Sequence, residues 1–285
     1  MTRRVLITSG LLVAAGLSSL AGSRADAAAL LLDFGPTAVT NTSPDFDATV
    51  SPGQQDGGIT GGSTWNQVQL TDIGSGLVFN NGTATTGVSV NLGKNTDSAA
   101  TTTVDLLTQP TSNSALGTTN NTNIYSGTRV AKDGIFGTSG GALGLRVDGL
   151  AAGDYAVYLT GRNTNSGTYG PTASAMDFFV STGAAVDTFN YSSWTKATAS
   201  NPNTGTGVLA GNAVGNPTSF TEGSEYVKFV VSLSQGQSLF LASDGAAVSG
   251  ETRGFLNSIE ITAVPEPGAF MLMGLGALGA LRRRR

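Results

Sequence analysis

Carboxylates carry almost all of the acid–base chemistry open to this sequence near neutral pH. Its 285 residues include no histidine and no cysteine. That removes the usual general base, the Ser-His-Asp arrangement, thiolate nucleophiles and every imidazole or thiolate metal centre. Two acid pairs lie close in sequence, Asp45 with Asp47 and Glu222 with Glu225. Paired acids are how glycosidases protonate a leaving oxygen and activate a nucleophile, but such a pair normally comes from separate strands. These two sit in polar, turn-rich stretches where solvated acids are ordinary, so neither is assigned catalysis. Asp45-Phe46-Asp47 offers oxygen ligands to calcium without the regular spacing of a calcium loop. No catalytic residue, no metal site and no cofactor is expected. Aromatic faces stack on sugar rings while neighbouring polar groups bond the hydroxyls. Trp194 and Tyr191 are the candidate carbohydrate contacts, because Tyr191-Ser192-Ser193-Trp194-Thr195 reads as a small polar loop. Core packing is the competing reading for Trp194. Trp65, which opens an alternating run, reads as core, and Arg253 as a loop charge.

The elements that must position these residues read as strands. Forty glycines, 12% charged residues and abundant Thr, Ser and Asn disfavour helix interiors and favour short strands joined by turns. Leu143, Leu145 and Val147 share one face of a strand, and Tyr155, Val157 and Leu159 share one face of the next; the glycine-bounded turn between them predicts a hairpin. Val88, Val90 and Leu92 alternate likewise, as do Val227, Phe229, Val231 and Leu233. Further strands are expected at Ser174 to Ser181 and Ser238 to Ala242, with Leu30 to Phe34 the first and Phe255 to Ala263 the last. The stretches Asn41 to Gly62, Thr111 to Asn123, Asn163 to Pro171 and Ala197 to Pro217 read as long loops, and none repeats at a fixed period. The fold class is therefore all-β, an antiparallel β-sandwich of jelly-roll type. It is flanked by an N-terminal signal helix and a short C-terminal hydrophobic helix. The divisions are 1–29, 30–263 and 264–285.

Residues 1–29 have the form of a secretory signal peptide: Arg3 and Arg4, an apolar stretch from Val5 to about Leu20, then small residues. Ala25-Asp26-Ala27 and Ala27-Ala28-Ala29 both suit signal peptidase, so cleavage follows Ala27 or Ala29, and a start at Leu30 is preferred. Thr2-Arg3-Arg4-Val5-Leu6 also resembles a twin-arginine export signal, and the choice between the two export routes stays open. Setting aside Asp26 and Arg3, Arg4, Arg24 and Arg282 to Arg285 leaves 18 acids against 8 bases, a body about 10 charges negative. Such a surface repels phosphate backbones, so no nucleic acid partner is expected.

The chain ends VPEPGAFMLMGLGALGALRRRR. Gly268 to Leu281 would rise about 21 Å as a helix, short of a hydrocarbon core near 30 Å. Arg282, Arg283, Arg284 and Arg285 resist crossing and form a cytoplasmic stop, leaving Pro265, Glu266 and Pro267 at the outer interface. The two prolines keep that triplet extended and poor in backbone donors, as a processing enzyme requires. In these residues the chain resembles the bacterial PEP-CTERM proteins. The resemblance implies processing by an exosortase-type enzyme after export and signal-peptide removal. It also implies a transient C-terminal anchor and a final place at the cell surface or outside, often among exopolysaccharide.

LLLDFG, WNQV, LRVDGLAAGDYAVYL and RGFLNSIEI also loosely resemble the galactose-binding and malectin-like jelly rolls, which implies carbohydrate binding by loops. The leading expectation is a non-enzymatic surface or matrix protein, with a carbohydrate-binding module as the alternative and a carboxylate-only polysaccharide hydrolase third. Partners would be the export machinery, signal peptidase, an exosortase and an extracellular polysaccharide.

Overall fold

The computed structural model describes residues 28–35, 51–59, 64–95, 101–114, 124, 134–137, 141–162, 175–201, 218–246 and 252–264. The two flanking helices expected at the ends lie outside these residues. The strands are β1 (Ala29–Phe34), β2 (Asn66–Val68), β3 (Ser89–Asn95), β4 (Thr103–Asp105), β5 (Ser112–Ser114), β6 (Gly134–Phe136), β7 (Leu143–Asp148) and β8 (Gly153–Thr160). They continue as β9 (Met176–Gly183), β10 (Thr188–Asn190), β11 (Thr195–Ala199), β12 (Val227–Leu233), β13 (Ser238–Gly245), β14 (Phe255–Leu256) and β15 (Ser258–Ala263). One helical turn, α1 (Pro52–Gln55), stands among them, started by Ser51 and Gln54 as a capping box.

The architecture is all-β, with several sheets that include a curled antiparallel half-barrel. A five-stranded sheet has the order β12-β8-β15-β1-β2, a seven-stranded sheet the order β10-β4-β3-β7-β13-β9-β11, and a small sheet the order β14-β6-β5. The pairings are antiparallel except that β2 runs parallel to β1, with Leu32 opposite Asn66. A parallel return needs a long connection, and the 31 residues between Phe34 and Asn66 supply one.

Period-two alternation turns one face of each large sheet toward a common core. Leu32, Val157, Ile259 and Ile261 from the first sheet meet Leu92, Leu145, Phe178 and Leu241 from the second. Full burial of each such side chain contributes roughly 1.5–3 kcal/mol. Where a strand is covered on both faces the alternation gives way to a continuous apolar run. In β1, Leu30, Leu32 and Phe34 face the shared core while Ala29 and Leu31 pack with Ile59 and Trp65 outside it.

Two expectations are corrected. The stretches 143–148 and 154–160 are strands, but they form no hairpin: β7 belongs to the seven-stranded sheet and β8 to the five-stranded one. Alternation fixes which face is buried, not which sheet a strand joins, and both strands bury the same set toward one core from opposite sides. The turn between them starts at Gly149, with φ +76°, where a Cβ would lie 1.9 Å from the Gly87 carbonyl oxygen. The expected strand Phe255 to Ala263 is broken in two at the buried Asn257. Its side-chain oxygen accepts the Arg162 N–H at 2.5 Å, and its backbone oxygen accepts the Phe34 N–H at 2.9 Å. The chain thereby changes from the small sheet to the five-stranded one.

Candidate functional site

The terminal strands β12 and β11 of the two large sheets run along the same side of the molecule. Between them lies a groove of about 740 Å³ lined by Ser181, Thr182, Trp194, Thr195, Val230 and Ser232, with Lys228 at one margin. Trp194 is held in place by its own turn. Its N–H donates to the Tyr191 carbonyl at 3.0 Å, while the Asn190 side chain accepts the Ser192 N–H at 2.9 Å. One face of the indole stacks on Phe189 at 4.9 Å and 24°, and Phe240 closes behind both rings. The part of the ring left exposed is turned into the groove. Val230 is 66% exposed beside it. No carboxylate is among the lining residues. An exposed aromatic edge, the hydroxyls of Ser181, Thr182, Ser193, Thr195 and Ser232, the Lys228 ammonium and an apolar patch can hold a polar chain; they offer no acid–base pair.

Trp194 and Tyr191 are brought together, but only Trp194 reaches the groove. Tyr191 is 1% exposed, its ring 4.7 Å from Phe179 and its hydroxyl donating to Asp244 at 2.8 Å. Burial drives the phenol far above its ordinary range and, despite that hydrogen bond, raises the Asp244 carboxyl too. Tyr191 thus supports the aromatic platform from beneath instead of offering a contact face. Trp65 is buried at 2%. Arg253 lies over the rings of Phe136 and Phe255, at 5.1 and 5.2 Å. Glu225 closes its own turn, accepting from the Thr221 N–H and the Ser224 hydroxyl at 2.9 Å each, and Glu222 is exposed. Asp45, Asp47, Ala27, Pro265, Glu266, Pro267 and Arg282 to Arg285 lie outside the described residues.

A second polar cluster escaped the sequence reading. On the outer face of the five-stranded sheet, Leu31, Glu260, Tyr158 and Lys228 stand opposite one another in a row across β1, β15, β8 and β12. The 51–59 segment covers the row. Glu260 is fully buried; its Oε2 accepts from the Ser51 hydroxyl at 3.1 Å and the Gly53 N–H at 3.0 Å, while Oε1 has no partner. Loss of solvent pushes its carboxyl up to about 8 in spite of those two donors. Asp56 accepts from Lys228 and from the Tyr158 hydroxyl, which holds its carboxyl below the usual range chiefly through the Lys228 hydrogen bond. An outward-facing Glu in Ile259-Glu260-Ile261 signals solvent on alternation alone. The cover comes from residues some 200 positions earlier, so nothing local announces it. Among the described residues no group of three or more acids is placed to hold a metal ion.

The two ends of the described fold meet. Ala29 opens β1 opposite Thr262 near the end of β15. The Ala29 N–H donates to the Asn80 side chain at 3.0 Å and its carbonyl accepts the Asn80 N–H at 2.8 Å. After β15 the Val264 N–H donates to the Asp154 carbonyl at 2.8 Å, and Pro265 follows at once.

Residues 263–285 match the family model of the PEP-CTERM protein-sorting motif. The chain therefore carries a PEP-CTERM motif at its C-terminus, and that motif implies export, exosortase processing and sorting to the cell surface. No curated protein matches the chain. Among solved structures, protein YXIM from Bacillus subtilis is similar at 14% identity and a TM-score of 0.32, over 83% of this chain and 40% of that one.

Proposed function

We propose that this is a non-enzymatic protein of the bacterial surface or extracellular matrix, built as a jelly-roll-like β-sandwich between two export signals. The sorting motif at 263–285, set directly behind the last strand, carries the reading. Among the described residues, Glu260, whose carboxyl burial pushes up to about 8, is sealed beneath 51–59, beyond the reach of a substrate. Of the two cleavage sites that the sequence offers, the cut before Ala28 is the one that keeps β1 whole. A cut before Leu30 would delete Ala29, whose two hydrogen bonds to Asn80 fix the start of β1. In a host with an exosortase, replacing Pro265, Glu266 and Pro267 by alanines keeps full-length precursor in the membrane, whereas neutral residues at Arg282 to Arg285 let the segment slip through. If both variants are released and cut like wild type, the sorting reading fails.

The Trp194 groove favours a second reading, a carbohydrate-binding module that holds the protein in exopolysaccharide. Its hydroxyls and the absence of carboxylates suit a neutral glycan. Saturable binding to exopolysaccharide that Trp194→Ala abolishes supports it, and no binding by the wild-type chain removes it.

A further inference from the structure

We propose that one end of the fold, formed by the turns 149–152, 184–187 and 234–237, stands against the outer face of the exporting membrane while the C-terminal segment is attached. This rests on the reading of 268–281 as a short membrane segment, and adds which way the body faces.

Strand directions define that end. Within the five-stranded sheet β15 finishes there at Ala263, opposite Tyr155 near the start of β8, and β12 finishes beside it with Leu233 opposite Gly153. In the other sheet β9 ends at Gly183, opposite Ser238 at the start of β13. Ala29, where the signal peptide departs, lies at the same end, opposite Thr262. Both hydrophobic signals thus leave the body side by side.

The tether is short. Val264 is fixed to Asp154, and only Pro265, Glu266 and Pro267 separate it from Gly268. Three residues span at most about 11 Å when fully extended. The opposite end lies a strand length away, roughly 20–25 Å for strands of this size. The body has no length of chain with which to roll over and turn another end to the bilayer.

Uncharged residues, Ala151, Ala152, Val186 and Gln235, are exposed in all three turns. Arg146 pairs with Asp148 and Asp187 at 2.9 Å each, while the exposed Asp154 accepts only from the Ser232 hydroxyl. One cation against three acids leaves this end net negative, so the short tether, and not attraction to an anionic leaflet, fixes the orientation.

The native chain has no cysteine, so single cysteines report position cleanly. Full-length chain from Ala28 onward, with the proline–glutamate–proline triplet intact, is placed in phosphatidylethanolamine–phosphatidylglycerol vesicles containing a headgroup spin-labelled lipid. It carries a fluorophore at Ala151→Cys, Gln235→Cys, Ser200→Cys or Thr221→Cys. Quenching at 151 and 235 is expected to exceed that at 200 and 221 at least about twofold. Inserting a flexible Gly-Ser linker of about 10 residues after Val264 should erase the difference, because such a linker reaches ~16–19 Å on average. Equal quenching at both ends in the chain without linker, or stronger quenching at 200 and 221, overturns the orientation alone. A chain that fails to float with the vesicles overturns the membrane-segment reading, and the orientation with it.

Discussion

Two polar regions of the molecule are built oppositely. Beneath 51–59, Glu260 and Tyr158 are buried on the outer face of the five-stranded sheet and bond the cover itself, Glu260 accepting from Ser51 and Gly53 and Tyr158 donating to Asp56. Along the β11–β12 side, Ser181, Thr182, Thr195, Ser232 and Trp194 line open space. The sealed region has the acid and no access; the open one has access and no acid. The polar side chains of the first region fasten a cover to a sheet, while those of the second line an open groove.

The comparison can be broken most severely at Gly53. A Cβ there would lie 2.4 Å from Glu260 Oε2 and 2.8 Å from Ile59 Cδ1. Gly53→Val is expected to cost about 2–4 kcal/mol, read from urea denaturation, by overpacking and by lifting the cover off its acid. Glycan binding at the groove should survive in the fraction that stays folded. An unchanged midpoint would mean that the cover is not fastened there.

Glu260 gives the next effect, through pH. Its folded pKa, about 8, lies above the ordinary 4.5. Between those values the folded state keeps a proton that the unfolded state has lost, so stability falls as pH rises through this window and levels off above it. The wild type should lose about 1–3 kcal/mol from pH 5 to pH 8. Glu260→Gln, which can still accept from Ser51 and Gly53, should flatten the profile in thermal melts. A slope that survives in Glu260→Gln assigns the dependence to another group.

Smaller effects are expected on the open side. Trp194→Ala should cost only about 1–2 kcal/mol, because the ring is partly exposed, yet weaken glycan binding at least about tenfold in a pull-down. Equal binding by this variant would take Trp194 out of the contact. Lys228→Met removes an ion pair whose side chains are 28% and 34% exposed. Its expected cost is within about 0.5 kcal/mol, since solvent screens such pairs. A cost several times larger would make Lys228 a structural tie between the two regions.

What the sequence made legible follows from the range of the forces involved. Alternation placed Leu143–Asp148 and Val227–Leu233 at their observed bounds, because each strand's burial pattern is local. It did not reveal the three-residue strands β4 and β10, which are too short to alternate and gain their place through neighbours. The loop reading of 197–217 missed that Ala197 to Ala199 complete β11, where the Lys196 and Thr198 side chains bond Asp177 on β9. At the groove, Trp194 could be singled out by its polar flanks, while the burial of Tyr191 could not, since its partner Asp244 stands 53 residues on. The sorting motif was legible from residues 264–285 alone, because its proline–glutamate–proline triplet, apolar run and four arginines are contiguous in sequence.

The measurement closest to the central claim is the intact mass of the protein released by a host that carries an exosortase, fragmented to read both ends. The expected product is a chain that begins at Ala28 and stops after Val264 but before Gly268, with β1 and β15 whole and the apolar segment gone. A released protein that still carries 268–285 would contradict the sorting reading, and one that begins at Leu30 would contradict the role given to Ala29.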